Sequence, residues 1–158
     1  MTNLERKDWI RALTAHPASA LNALADELTR DCDVKLKSLP QTGLGLLTLT
    51  DSAFHEPYYL GEFPLSSCSI ELSLPDGRHA AGGAQVMADD ADLARSLAIL
   101  DAVLAARLPG WERVAARIDA GAMTRTEEDR RRHAMLAATR VDFAMLNNAD
   151  EEDGDDRE

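Results

Sequence analysis

The side chains with the widest chemical range in this sequence are His16, His55, His79, His133, Cys32 and Cys68. A tetrahedral zinc site takes three or four such ligands, commonly in closely spaced pairs. No two of these histidines lie at ligand spacing, and neither cysteine neighbours a histidine, so the pattern offers no metal site. Gly43 and Gly45 lack the following glycine, lysine and helix start of a phosphate-cradling loop. Ser66-Ser67 falls in a strand pattern rather than at a sharp strand-to-helix turn, which makes a poor nucleophile. What remains is His55, Glu56, Tyr58 and Tyr59, with Glu62 just after Leu60-Gly61. A histidine beside a carboxylate and phenols has the groups for proton transfer. The same residues also suit a polar loop whose tyrosines half-bury themselves. Glu62 is a second candidate, because the adjacent glycine lets another backbone approach and the carboxylate can cap or bind.

The elements that must position these groups follow from periodicity. Residues 3–15 read as a helix with Trp9, Ile10 and Leu13 on one side, and Pro17 opens a second helix running to about Arg30. Val34 and Leu36 alternate with Lys35 and Lys37 as a half-buried strand. Thr42-Gly43 reads as a turn, and Leu44 to Thr50 as a strand that pairs back in a hairpin. Residues 52–58 read as a loop, and Tyr58 to Phe63 as the start of another strand. Residues 66–74 give the clearest alternation, with Cys68, Ile70, Leu72 and Leu74 on one face. Pro75-Asp76-Gly77 is a turn, since proline fixes φ and glycine tolerates positive φ. A partner strand runs through Val86, and Gly82-Gly83 within it marks a bulge or a close backbone approach. Leu93, Leu97, Leu100, Leu104 and Leu108 define the strongest helix, with Asp89 and Asp90 at its dipole-positive start and Pro109-Gly110 at its end.

A short helix is expected over 111–118, then a last helix opened by a Thr124/Glu127 capping box. Between Met123 and Met135 that helix carries no strong hydrophobe, and Glu127–Arg131 and Glu128–Arg132 fall at i,i+4. A helix polar all round has little to pack on in its own domain. It is either a solvated helix end or an arm toward another subunit. The expected class is α+β: an antiparallel sheet of about four strands against helices, with a long C-terminal helix. Residues 1–146 form a single domain in this reading, and residues 147–158 an acidic disordered tail.

Composition narrows the function. The chain has 158 residues, 45% apolar and only 4% aromatic, enough for one core built from Leu, Ala, Val and Met. Of the formal net charge of −11, the last twelve residues supply −6. An acidic body argues against binding phosphate backbones, so no nucleic acid is expected. No apolar run approaches the ~18 residues that span a bilayer, and no leading segment resembles a signal peptide. A cytoplasmic location with reduced thiols is expected.

Several short elements recur in a distinctive order: Trp9, Thr42-Gly43-Leu44, Tyr59-Leu60-Gly61-Glu62, Ser69 to Asp76-Gly77, Gly82, Asp90, Ala98-Ile99-Leu100-Asp101-Ala102 and Thr139-Arg140-Val141-Asp142-Phe143. Across residues 5–146 this order resembles the G-subunit family, PhnG, of the bacterial carbon–phosphorus lyase system. The resemblance implies a core complex with PhnH-like, PhnI-like and PhnJ-like subunits, two copies of each. That complex helps convert an alkylphosphonate and a nucleoside triphosphate into a ribose 1-phosphonate 5-triphosphate, with release of the base. The I subunit is implied to carry the nucleosidase-like step, and the J subunit the iron–sulfur and S-adenosylmethionine radical chemistry. The G subunit has no assigned catalytic residue, binds no cofactor, and is expected to pack closely on the I subunit. Two departures stand out. Ala88-Asp89-Asp90 replaces the family's Gly-Arg-Asp, which removes an arginine able to hold an anion, and Gly83 replaces an aromatic.

Three readings result: a non-catalytic subunit of that complex, an independent small cytosolic enzyme using His55 or Glu62, and an acidic module whose tail recruits a basic partner. The interface candidates are Leu60, Gly61 and Glu62, and Arg140, Asp142 and Phe143 on the last helix, where charged and aromatic groups combine as at interface anchors. Ordinary alternatives stand beside them: a plain strand start for the first trio, and helix-to-core packing with a surface ion pair for the second.

Overall fold

A computed structural model describes residues 4–139 of the chain. The described elements run α1 (Arg6–Leu13), α2 (Ala18–Leu28), β1 (Asp33–Thr50), β2 (Pro57–Ser73), β3 (His79–Val86), α3 (Ala91–Ala105) and α4 (Trp111–Ala138). The contacts fall into two units, Met1–Arg125 and Thr126–Glu158. The class is α+β, as expected, but the sheet has three antiparallel strands in the order β1-β2-β3 rather than about four.

The difference comes from two places where breakers were read as ends. Thr42-Gly43 is not a turn: β1 continues through it, with Thr42 opposite Ser66 and Gly43 opposite Leu65. Pro40 is tolerated because β1 is an edge strand and its pairing register shifts between Ser38 and Gln41. Pro64 likewise lies inside β2, so the expected strands at 58–63 and 66–74 are one. The hairpin turn sits instead at residues 51–56, between β1 and β2.

The core lies where β2 and β3 meet α3. Cys68, Ile70 and Leu72 are buried on one face of β2, as the alternation requires. Facing them is a helix whose interior is almost wholly buried, from Leu93 to Leu104. The close approach expected at Gly82 is present, since a Cβ there would overlap the carbonyl oxygen of Ala98 and crowd Ala102. Asp90 caps α3 by accepting the Leu93 N–H at 2.8 Å. Ser66, buried, donates to the Ala88 carbonyl at 2.6 Å and accepts from the Asp90 N–H at 3.0 Å, which ties the helix start to the sheet. The Pro75-Asp76-Gly77 turn forms, with Gly77 at φ 85°.

The two helices expected after Pro109 are a single helix, α4. Thr124 does not cap anything; its hydroxyl donates to the Ala120 carbonyl four residues back, at 3.3 Å. The expected Glu127–Arg131 pair forms at 3.1 Å, and Glu127 also reaches Arg130. Within residues 4–125, Val114, Ala115, Ile118 and Gly121 of α4 are buried. In the second unit, Met135 and Leu136 are exposed.

Candidate functional site

Beyond the rung Ser66–Val86, β2 loses its β3 neighbour, and the β1–β2 hairpin continues as a two-stranded ribbon from Gly43–Leu65 to Thr50–Pro57. The register assigns its two faces. Leu44, Leu46 and Thr48 share one face with Pro64, Glu62 and Tyr59. This face continues the one that buries Cys68, Ile70 and Leu72 nearer the helices. Leu47 and Leu49 share the other with Phe63, Gly61 and Tyr58. The Phe63 ring lies over Gly45, where a Cβ would collide with it. One residue, Leu60, is extra on β2, between the rungs Leu47–Gly61 and Thr48–Tyr59.

Both faces are open. Leu44 is 69% exposed, Tyr59 69%, Leu60 59% and Leu46 52%, and on the opposite face Leu47, Leu49 and Tyr58 exceed 39%. At the turn, Phe54 is 82% exposed. Single exposed hydrophobics are ordinary, but a contiguous set on both faces of one element makes this ribbon the candidate surface. A two-stranded ribbon is also at best marginally stable in water by itself.

The turn is ordered locally. Asp51 accepts the Phe54 N–H at 2.7 Å through its carboxylate, the Asp51 N–H donates to the Glu56 carbonyl, and the His55 N–H donates to the Asp51 carbonyl. The Phe54 N–H, then that of Ala53, holds the Asp51 carboxyl below its ordinary pKa. His55 takes a positive φ of 56° in this turn. His55 and Glu62 are therefore separate. Glu62 pairs with Leu46, four rungs inside Thr50, about 13 Å along the ribbon at ~3.3 Å per residue. Both are exposed, so no shared pocket unites a base with a carboxylate. Gly61 does not serve a close approach within the chain, for a Cβ there would meet nothing within 4 Å.

The other candidates scatter. His16 Nε2 lies 2.8 Å from the Arg117 carbonyl, and His79 Nδ1 lies 2.9 Å from Ser73 Oγ. Among the described residues no three His, Cys, Asp or Glu side chains gather as metal ligands. Cys68 is buried and Cys32 half-buried, both unpaired, and desolvation raises each thiol pKa. Cys32 joins Leu28, Leu72, Leu74, Val103 and Leu108 around a cavity of about 300 Å³. Arg140, Asp142 and Phe143 lie outside the described residues, as does the acidic tail.

One group that sequence reasoning missed is Asp101. It is 5% exposed, accepts two hydrogen bonds from Arg6 (2.8 and 2.6 Å), and accepts the Gly83 N–H at 3.0 Å. Its partner Arg6 has its pKa raised, chiefly by the hydrogen bond to that carboxylate. The signal was available: Asp101 falls four residues after Leu97 and three before Leu104, on the buried stripe, where an unpaired charge is costly.

The arrangement defines a class: a small α+β domain with a sealed core, no assembled reactive cluster among the described residues, and an uncovered β-ribbon. Comparison with known proteins gives the family. A family model described as "Phosphonate metabolism protein PhnG" matches residues 4–147. The "Alpha-D-ribose 1-methylphosphonate 5-triphosphate synthase subunit PhnG" of Rhizobium meliloti (strain 1021) is 32% identical over 148 residues, covering 90% of this chain and 88% of that protein. The chain belongs to the PhnG family.

Proposed function

We propose that this chain is a non-catalytic subunit of an α-D-ribose 1-methylphosphonate 5-triphosphate synthase, the core complex of carbon–phosphorus lyase. In that role it supports formation of the triphosphate product from ATP and methylphosphonate. Its direct partner is a PhnI-like subunit, within a hetero-oligomer that includes PhnH-like and PhnJ-like subunits in the cytoplasm. It contributes no cofactor and contacts neither nucleic acid nor membrane. Among the described residues no helix is long and apolar enough to cross a membrane. The observation that carries the reading is the ribbon with both apolar faces bare, Leu60, Gly61 and Glu62 among its residues. Arg140, Asp142 and Phe143 form a second contact in this reading.

The test is co-expression with the PhnI-like subunit. Wild type co-purifies with it, and a chain carrying Leu46→Asp and Leu49→Asp folds but does not. Unimpaired co-purification of that double variant refutes the ribbon as the contact. An independent enzyme centred on His55 and Glu62 has less support, because the ribbon holds them about four rungs apart in solvent.

A further inference from the structure

The ribbon's charges are one-sided. Residues 41–65 contain Asp51, Glu56 and Glu62 and no lysine or arginine. Elsewhere several surface acids have cations from the same chain: Glu27 pairs with Arg113, Glu71 with Lys37, Asp76 with Arg78 and Asp26 with Arg95. On the ribbon, Asp51 spends its carboxylate on the turn, while Glu56 and Glu62 have no cationic partner among the described residues. Glu62 stands on an apolar face, between Leu46 across the strand and Pro64 two residues along.

Area adds a second constraint. Eight residues of β1 (Gly43 to Thr50) and nine of β2 (Pro57 to Leu65) give a ribbon on the order of 27 Å long and, at ~4.8 Å between strands, about 10 Å wide. Each face then offers on the order of 300 Å², well short of the ~800 Å² per partner of a standard specific interface. Both faces and the open edges together approach it.

We propose that the ribbon is received in an apolar cleft of a partner subunit whose rim carries lysine or arginine opposite Glu62 and Glu56. The proposal rests on the ribbon being the contact surface, as above, and adds the chemistry of what covers it. A second copy of this chain is the disfavoured occupant: pairing two ribbons sets carboxylates against carboxylates, in a protein whose net charge is already −11. A flat partner is disfavoured because it leaves one leucine-bearing face in water.

The experiment measures binding of the full chain to the purified PhnI-like subunit at low and moderate salt. It uses Leu46→Asp on one face, Leu49→Asp on the other, Glu62→Gln, and Glu56→Lys with Glu62→Lys. Thermal melts check that each variant folds, which exposed positions permit. Each leucine variant alone weakens binding by more than tenfold. The double lysine variant weakens it about tenfold or more, mainly by slower association, and flattens the salt dependence seen in wild type. Glu62→Gln lies between. If the leucine variants bind like wild type, the ribbon is not the contact and the underlying reading falls. If they fail but the acidic variants keep wild-type affinity and salt slope, the contact stands and the basic rim is refuted. Loss from only one leucine face refutes the cleft. Self-association of the isolated chain, abolished by Leu46→Asp, identifies a second copy as the occupant and overturns the proposal.

Discussion

The inner and outer halves of β2 are built from similar residues and meet opposite fates. From Ser66 to Ser73 the strand is flanked by β1 and β3 and covered by α3, and Ile70 and Leu72 are 1% and 0% exposed. From Pro57 to Leu65 the same strand keeps only β1, and its tyrosines and Leu60 stand in water. The backbone hydrogen bonding of the β1–β2 pair runs through both halves, so pairing alone does not bury a side chain. Burial requires a second layer, and β3 is only eight residues long. One half therefore has its stability written into this chain. The other is left uncovered by the described residues of this chain.

The first way to break this comparison is to truncate matched leucines. Leu72→Ala removes a fully buried side chain and is expected to cost about 4 kcal/mol of unfolding free energy. Leu46→Ala, 52% exposed in wild type, is expected to stay within about 0.5 kcal/mol in the isolated chain. Denaturant titration of both measures it, and equal losses mean that the ribbon is packed in solution after all.

A matched glycine pair sharpens the same contrast. Gly82→Ala drives a methyl into the Ala98 carbonyl of α3, and about 2–3 kcal/mol is expected to be lost as strand and helix separate. Gly43→Ala on the ribbon meets nothing within 4 Å, so its melting temperature stays near that of wild type. Thermal unfolding of the two variants decides.

These contrasts also mark where the sequence was readable. The buried half was legible because alternation at Cys68, Ile70 and Leu72 and the leucine stripe of α3 report the same two-layer contact from both sides. The outer half was misdivided. Pro40, Gly43 and Pro64 end strands in most contexts, and nothing local says that a shifted register on edge strand β1 absorbs Pro40 or that β2 has no β3 neighbour at Pro64. The candidate site was half legible: Leu60, Gly61 and Glu62 were singled out, but the leucines opposite them passed for an ordinary strand, because exposure is a tertiary property. The split at Thr124 failed for a related reason. A capping-box pattern is permissive, and a helix already under way keeps its backbone bonds.

Next in size is the Arg6–Asp101 pair, which lies wholly on the packed side. Arg6→Met leaves the buried carboxylate with the Gly83 N–H alone. A loss of about 2 kcal/mol is expected, held down because Arg6 is itself half-exposed and water can enter. Adding Asp101→Leu in a double-mutant cycle should recover part of the loss, since it removes the orphaned charge. No recovery means that Asp101 matters through Gly83 and α3 rather than through Arg6.

The smallest effect belongs to the ribbon's turn. Asp51 has a folded pKa below its ordinary value because backbone N–H groups, first that of Phe54, hydrogen-bond the carboxylate. A depressed folded pKa means that the stabilisation is present above the ordinary aspartate value of about 3.9 and disappears as pH falls through the lower folded value. Amide exchange at Phe54, followed below pH 4, should therefore accelerate at the turn while the amides of β3 and α3 keep their protection. Asp51→Ala should give the same local loosening at neutral pH, with no change in the global melt. If acid instead loosens Ile70 and Leu72 together with Phe54, the two halves of the hairpin unfold as one unit, and the ribbon's independence from the core is disproved.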